Sequence, residues 1–171
     1  ASTRTRVSFT VAMARLGGQT IDLNPSLSQV GRGEPIADTA RVLSRYVDAL
    51  AIRTFAQSDL QGYADAASIP IINALTDLEH PCQALADYLT MQEAFGSLEG
   101  LTMAYVGDGN NVAHSLLIAG AQLGVNVRIG CPAGFHPDPR VVEQARALAG
   151  ERCRMEVVEL SLIHISEPTR P

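Results

Sequence analysis

The sequence predicts an α/β fold with two doubly wound, parallel-sheet lobes that are joined by a helix, the second lobe being incomplete. Strand-like apolar runs alternate with helical segments of about 10–15 residues, which is typical of βαβ units with parallel strands. The alternation comes in two sets, separated by one long helical segment at 81–95. A length of 171 residues suffices for one good core or two small ones.

The first set of elements precedes residue 81. A Ser/Thr-rich start, an apolar run and Gly17-Gly18 predict a helix with its stop. Pro35 opens a second helix, because Pro is favoured in a first helical turn. The predicted elements are helices at 2–17, 35–46 and 58–67, strands at 19–23, 49–52 and 69–72, and an exposed Ser-, Gly- and Pro-rich loop at 24–34.

The second set repeats the alternation after residue 96. It comprises strands at 101–106, 125–130 and 154–159, a tight turn at 107–110, and helices at 111–123 and 139–149. We therefore expect a first lobe at 1–80, a linking helix at 81–96 and a partial second lobe at 97–160. Such lobes leave a cleft where the carboxyl ends of the strands gather. The tail at 161–171 breaks the pattern, and we expect it to be a foreign or mistranslated end.

Composition excludes several classes of function. Hydrophobic residues make up 46% and charged residues 18% of the chain, which is typical of a globular protein. No apolar run approaches the roughly 20 residues of a membrane span, and a net charge of −5 argues against a general nucleic-acid partner. All 13 basic residues are arginine, so lysine chemistry is excluded for this chain. The chain opens inside a helix-like motif, and we expect its natural start to lie further upstream.

Cysteine usage indicates a reducing compartment. Cys82, Cys131 and Cys153 are odd in number and lack metal-ligand spacing, so we expect a cytoplasmic protein without disulfides. His114 and His136 also lack partners at metal-ligand spacing, and we interpret both as structural or surface residues.

The stretch Ser2-Thr3-Arg4-Thr5-Arg6 predicts an anion site. A helix start presents unpaired backbone N–H groups and the positive end of the helix dipole. An arginine fork beside it suits phosphate or carboxylate. The alternative is an ordinary helix cap followed by solvent-facing arginines.

Three further places put polar groups at a strand end or helix start. They are Arg53, the run His80-Pro81-Cys82-Gln83, and Asn110-Asn111. Pro81 fixes a helix start and Gln83 shares a face with His80, while Asn side chains can hold the carboxylate or ammonium group of an amino acid. The alternatives are a surface arginine and a capping histidine with a surface glutamine.

Two other interpretations fit less well. Gly107-Asp108-Gly109 follows a strand, as in a dinucleotide fold, but Val112 replaces the third glycine and no acid closes the next strand. Cys82 next to His80 suggests a thiol nucleophile, yet neighbours at a helix start generally point apart, so we interpret Cys82 as a packing residue.

Taken together, five motifs resemble the aspartate/ornithine carbamoyltransferase family, and most closely its ornithine branch. The resemblance runs from Ser2 to about Leu160. The motifs are Ser2-Thr3-Arg4-Thr5-Arg6, Ser28-Gln29-Val30-Gly31-Arg32-Gly33-Glu34, Arg53-Thr54, His80-Pro81-Cys82-Gln83 and Gly107-Asp108-Gly109-Asn110-Asn111.

The resemblance implies transfer of the carbamoyl group from carbamoyl phosphate to the δ-amine of L-ornithine, giving L-citrulline and phosphate in arginine metabolism. It implies no metal, no other cofactor and no covalent intermediate. It also implies a homotrimer or a multiple of trimers.

The resemblance assigns a role to each matching residue. By this resemblance, the phosphate group is bound by Ser2, Thr3, Arg4 and Thr5. The carbamoyl oxygen accepts hydrogen bonds from Arg53, His80 and Thr5. The carbamoyl NH₂ group is bound by Gln83 together with the backbone around Pro81 and Cys82. Gln29 matches a loop residue that reaches carbamoyl phosphate, in many members across a subunit boundary, and Asn111 matches the position that binds ornithine.

The sequence also departs from the family. The Asp-x-x-x-Ser-Met-Gly loop and the His-Cys-Leu-Pro motif, which hold the amino acid, are absent, as are the strand and helix before the opening motif. We therefore expect the 171-residue chain alone to be inactive. Putrescine or N-acetylornithine remains an alternative acceptor, and a non-catalytic phosphate-binding α/β module an alternative function.

Overall fold

The structure, a computed structural model, describes residues 3–24 and 33–160, which form six helices and five strands. Ser2, Gln29 and the predicted foreign tail lie outside the described residues. In chain order the elements are α1 (Thr3–Arg15), α2 (Ile36–Leu43), β1 (Leu50–Arg53), α3 (Gln57–Ala66), β2 (Ile71–Leu75), α4 (Pro81–Phe95), β3 (Thr102–Val106), α5 (Asn111–Leu123), β4 (Asn126–Cys131), α6 (Pro139–Ala149) and β5 (Met155–Glu159).

The chain divides into two compact units. The first comprises Ala1–Ile52 and Ser58–Ala74, and the second comprises Arg53–Gln57 and Leu75–Pro171. The last residues of the two strands, Arg53 and Leu75, therefore belong with the second unit, together with residues 54–57 and 76–160. The predicted lobe boundaries at residues 80 and 96 stay a prediction.

Strands β1 and β2 form a two-stranded sheet. The Leu50 N–H donates to the Pro70 carbonyl at 3.0 Å, and the Thr54 N–H donates to the Leu75 carbonyl at 3.1 Å. Since both partners advance in the same direction along the chain, the two strands run parallel. This agrees with the predicted α/β class.

The predicted strand at 19–23 is wrong. Residues 18–24 have no regular secondary structure, and Ile21 and Leu23 are 68% and 51% exposed. A strand is stabilised by the hydrogen bonds of a neighbouring strand, and β1 has β2 as its only partner among the described residues. Alternating apolar residues are not sufficient without such a partner.

The predicted strand at 69–72 lies two residues further along, at Ile71–Leu75. Pro70 has no N–H to donate to a sheet, although its carbonyl accepts from Leu50. The strand therefore begins only after the proline.

The second unit is built on a parallel sheet of order β3-β4-β5. The central strand β4 buries Val127 and Ile129 completely, as expected for a strand covered on both faces. Helices α5 and α6 add Leu117 and Ala145 to the same apolar cluster. Three helices of this unit have the predicted bounds: Pro81–Phe95, Asn111–Leu123 and Pro139–Ala149.

Candidate active site

The turn that follows β2, residues 76–80 and here called the 76–80 loop, is closed by its own hydrogen bonds. The Thr76 N–H donates to the Glu79 carbonyl at 2.8 Å, and the Glu79 N–H donates to the Thr76 hydroxyl at 3.1 Å. Thr76 is fully buried. Because its backbone N–H donates and its hydroxyl accepts within the loop, this turn has a defined conformation that carries His80 at its end.

The segment after β1 is attached to this loop. The Asp77 N–H donates to the Phe55 carbonyl at 2.7 Å, and the Thr76 hydroxyl donates to Gln57 Oε1 at 2.7 Å. These contacts join two stretches about twenty residues apart in the chain. They hold Arg53, at the start of the first stretch, in the same unit as His80.

His80 lies in an environment that disfavours its charged form. Burial and, as a smaller effect, the Arg53 guanidinium lower the pKa of the imidazole from the ordinary histidine value, while Asp87 opposes them. Both dominant effects have the physical sign expected for a partly desolvated histidine beside a cation. At neutral pH the ring is therefore neutral.

The proton of neutral His80 is favoured on Nε2. Nδ1 is buried and has no hydrogen-bond partner among the described residues. A buried N–H without an acceptor is rarer in proteins than an acceptor without a donor. Neutral His80 is therefore suited to donate one hydrogen bond through Nε2.

His80 is the residue before helix α4, and Pro81 begins that helix. Burial raises the pKa of the Cys82 thiol, which keeps it protonated at neutral pH and makes it a poor nucleophile. The exposed Gln83 donates from Nε2 to Asp87 Oδ1 at 2.9 Å along the same helix. The helix start thus has the predicted polar residues and no activated thiol.

The start of helix α5 lies against the 76–80 loop. Asn110 caps the helix, since its Oδ1 accepts from the Val112 N–H at 2.9 Å. Asn111 Nδ2 donates to the Thr76 carbonyl at 2.6 Å. With one amide donor engaged, the Asn111 amide oxygen is the group suited to a substrate ammonium.

The first turn of helix α1 contains Thr3, Arg4 and Thr5. Thr3 and Arg4 are exposed and Thr5 is half-buried. The neighbouring Arg6 forms an ion pair with Asp22. The structure therefore places three of the predicted phosphate-binding residues in the first turn of a helix, at the positive end of the helix dipole.

Two family models match this chain in sequence order. Residues 1–93 match the aspartate/ornithine carbamoyltransferase carbamoyl-P binding domain, and residues 99–160 match the Asp/Orn binding domain of the same family.

The chain belongs to the aspartate/ornithine carbamoyltransferase family.

Similar proteins include the ornithine carbamoyltransferase of Parasynechococcus marenigrum strain WH8102, which is 71% identical over 158 residues, covering 92% of this chain and 50% of the relative. Among solved structures, the ornithine carbamoyltransferase from Gloeobacter violaceus superposes with a TM-score of 0.84 at 58% identity, covering 93% of this chain and 53% of that one. The ornithine carbamoyltransferase from Pyrococcus furiosus superposes with a TM-score of 0.88 at 52% identity, covering 93% of this chain and 51% of that one. The chain spans about half the length of the relatives it matches.

In this carbamoyltransferase-family chain, the second unit brings together three predicted site residues. Arg53 acts electrostatically on His80, and Asn111 binds the loop that carries His80. His114 and Ser115, which are 7% and 3% exposed, hold this arrangement. The sequence indicated His114 as a structural or surface residue, and it is structural; Ser115 was missed. Their spacing from Asn111, at i+3 and i+4 on one helix face, was the available signal.

The described residues contain neither a metal-binding cluster nor a membrane-spanning helix. In residues 3–24 and 33–160, no group of three or more His, Cys, Asp and Glu side chains is arranged to hold a metal ion. None of the helices in this part of the chain is long and apolar enough to cross a membrane.

Proposed function

We propose that the protein transfers the carbamoyl group from carbamoyl phosphate to the δ-amine of L-ornithine, giving L-citrulline and phosphate. The observation that carries this proposal is 71% identity, over 158 residues, to a protein named ornithine carbamoyltransferase. It is supported by the electrostatic coupling of Arg53 and His80, both of which belong to the motifs of the carbamoyl-phosphate end.

The phosphate of carbamoyl phosphate binds at the start of α1. Backbone N–H groups of the first turn and the hydroxyls of Ser2, Thr3 and Thr5 donate to its oxygens, and the Arg4 guanidinium pairs with them. Gln29 completes this end of the site from a neighbouring subunit. The position of Thr3, Arg4 and Thr5 in a helical first turn supports this role.

The carbamoyl oxygen becomes an oxyanion in the transition state, and Arg53, His80 and Thr5 donate to it. Donors placed in advance at such an oxygen contribute about 3–4 kcal/mol each. His80 suits this task because burial and Arg53 lower its pKa and because Nδ1 has no acceptor. A neutral ring then donates through Nε2.

The two nitrogen groups bind separately. Gln83 and the backbone around Pro81 and Cys82 accept from the carbamoyl NH₂ group. Asn111 binds the amino-acid end of ornithine through its amide oxygen and its second Nδ2 hydrogen, since the first Nδ2 hydrogen is donated to the Thr76 carbonyl.

The reaction is a direct displacement at the carbamoyl carbon. The neutral δ-amine forms the new C–N bond, the C–O bond to phosphate breaks, and phosphate leaves with the proton that the amine nitrogen loses. Every group described above acts by orienting the reactants or by stabilising charge.

We further propose a cytoplasmic homotrimer, or a multiple of trimers, that works in arginine metabolism. The odd number of cysteines, Cys82, Cys131 and Cys153, supports a reducing compartment. Sedimentation of the complete protein gives its oligomeric state.

The acceptor is tested with the open reading frame that extends this sequence to the full length of its relatives. The purified product is assayed with carbamoyl phosphate and each of four amines: L-ornithine, L-aspartate, putrescine and N-acetylornithine. We expect citrulline formation from ornithine to have the highest kcat/KM. A higher value for any other amine overturns ornithine as the acceptor.

The chemistry is tested by Arg53→Ala and His80→Ala in the same protein. Each should lower kcat by about 10²–10³-fold, as loss of an oxyanion donor does in comparable sites. Arg128→Ala is the control, because it removes an exposed arginine of the same unit that pairs with Glu156. A non-catalytic phosphate-binding module predicts instead no turnover in any variant and nearly intact binding of carbamoyl phosphate.

A further inference from the structure

One face of helix α5 holds the 76–80 loop at three points. Asn111 Nδ2 donates to the Thr76 carbonyl at 2.6 Å, His114 Nδ1 contacts the Leu78 carbonyl at 2.8 Å, and the His80 N–H donates to the Ser115 hydroxyl at 2.7 Å. The three helix residues stand at positions i, i+3 and i+4, which share one helix face. They are called here the α5 clamp.

The tautomer of His114 follows from its two partners. A carbonyl oxygen accepts only, so Nδ1 carries the proton that is donated to Leu78. Nε2 accepts the Asp138 N–H at 2.9 Å. Both ring nitrogens are engaged, and the ring joins the 76–80 loop to the residue that caps helix α6.

Ser115 places a hydroxyl group at a buried position inside helix α5. The residue is 3% exposed within α5, which has more buried residues than any other helix in the described part of the chain, and alanine has the higher helix propensity there. Its hydroxyl accepts the N–H of His80, the residue just before helix α4. That N–H precedes the helix, so no helical carbonyl is available to it.

We infer that Ser115 and His114 are positioning residues, which fix the backbone of the 76–80 loop and thereby the direction of the His80 imidazole. This rests on the proposed function, in which His80 donates to the carbamoyl oxygen. The loop is already closed internally between Thr76 and Glu79, so restraints at Leu78 and His80 orient it as one body. An error of about 1 Å in such a donor can cost 10²-fold in rate.

Ser115→Ala in the complete enzyme tests this inference. We expect kcat to fall about 10–100-fold, with the KM for carbamoyl phosphate within about threefold of its original value, because the phosphate contacts of the ground state are proposed at the start of α1. The His80 amide should exchange with solvent at least about tenfold faster, and the His80 ring resonances should shift.

Two further variants complete the test. Ser115→Cys keeps nearly the same side-chain volume but has a weaker hydrogen-bond acceptor. Its kcat and its His80 amide exchange rate should therefore lie between those of the parent and Ser115→Ala. It also tests the inference if Ser115→Ala does not fold. Thr90→Ala is the control, since it removes an exposed hydroxyl that bonds to the Ala86 carbonyl within α4. We expect it to leave kcat and His80 exchange unchanged.

Unchanged His80 exchange in Ser115→Ala overturns the inference. Faster exchange with unchanged kcat overturns it as well, because the contact is then structural only. If the unsubstituted enzyme transfers no carbamoyl group, the proposed function fails. In that case the amide exchange rate and the ring resonances of His80, compared between the parent and Ser115→Ala, still show whether the α5 clamp orients His80.

Discussion

At the scale of single residues, the charge state of His80 controls what the candidate site can do. Burial and the Arg53 guanidinium both disfavour the imidazolium form, and Nδ1 has no partner in the described part of the chain. A protonated ring would place an N–H at a buried position without an acceptor. The residue is therefore suited to donate one hydrogen bond as a neutral ring.

We expect His80 in the folded chain to titrate below the ordinary value of about 6.5. Arg53→Ala should raise its pKa part of the way back, because the larger cause, burial, remains. An NMR titration of the ring resonances measures this. Arg128→Ala is the control and should leave the His80 titration unchanged; the same pKa in Arg53→Ala and the parent chain would contradict the electrostatic coupling.

The same shift makes stability depend on pH. The unfolded chain binds a proton at His80 more readily than the folded chain does, so the contribution of the neutral ring is fully present above about pH 6.5. It is lost as the pH falls from there through the folded pKa. Between pH 7 and 5 the free energy of unfolding, measured in urea, should fall more for the parent chain than for His80→Gln. Equal decreases would show that the pKa of His80 is not lowered by folding.

At the scale of the elements, the start of helix α5 depends on its cap. Asn110 Oδ1 accepts from the Val112 and Ala113 N–H groups at 2.9 and 3.4 Å. Asn110→Ala should therefore lower the free energy of unfolding by about 1 kcal/mol. Asn110→Asp keeps an acceptor and adds a charge that the helix dipole favours, so it should be near neutral. Equal urea midpoints for the two variants would contradict this role.

The middle of the same helix depends on a close approach at Gly120. A Cβ atom there would overlap Val127 of β4 and the hydroxyl of Tyr88 of α4. Gly120→Ala should therefore destabilise the chain by about 1–3 kcal/mol, even though alanine favours helices.

Gly62→Ala is the matched control for Gly120. Gly62 lies inside helix α3, where Ile36, at 3.4 Å, is the only described residue that an added Cβ would meet. Alanine there should stabilise by about 0.5–1 kcal/mol. Thermal unfolding of both variants measures the contrast, and a stabilised Gly120→Ala would show that the helix can move away from the sheet.

At the scale of the whole molecule, the chain holds two compact units and spans about half the length of its relatives. The five motifs named above lie within it, whereas the Asp-x-x-x-Ser-Met-Gly loop and the His-Cys-Leu-Pro motif do not occur in the sequence. We expect the purified 171-residue chain to give no measurable citrulline from carbamoyl phosphate and ornithine. The full-length protein is the control, and citrulline from the shorter chain would contradict the expectation.

Local signals in the sequence determined the helices of the second unit and the residues of the candidate site. Pro81 and Pro139 mark two helix starts, and Asn110 caps a third, because capping and the fixed φ of proline act within one turn. The helix starts that carry His80 and Asn111 follow from the same signals, whereas the strand end at Arg53 follows from the apolar run at 49–52.

Only the tertiary structure decided which of these signals act together. The strand predicted at 19–23 does not form, since pairing needs a neighbour that the apolar pattern does not specify. His114 and Ser115 reach residues 36 and 35 positions away, and no local propensity encodes a contact across that separation. Local sequence signals thus indicate which residues form the candidate site. The orientation of those residues depends on hydrogen bonds between segments that folding brings together.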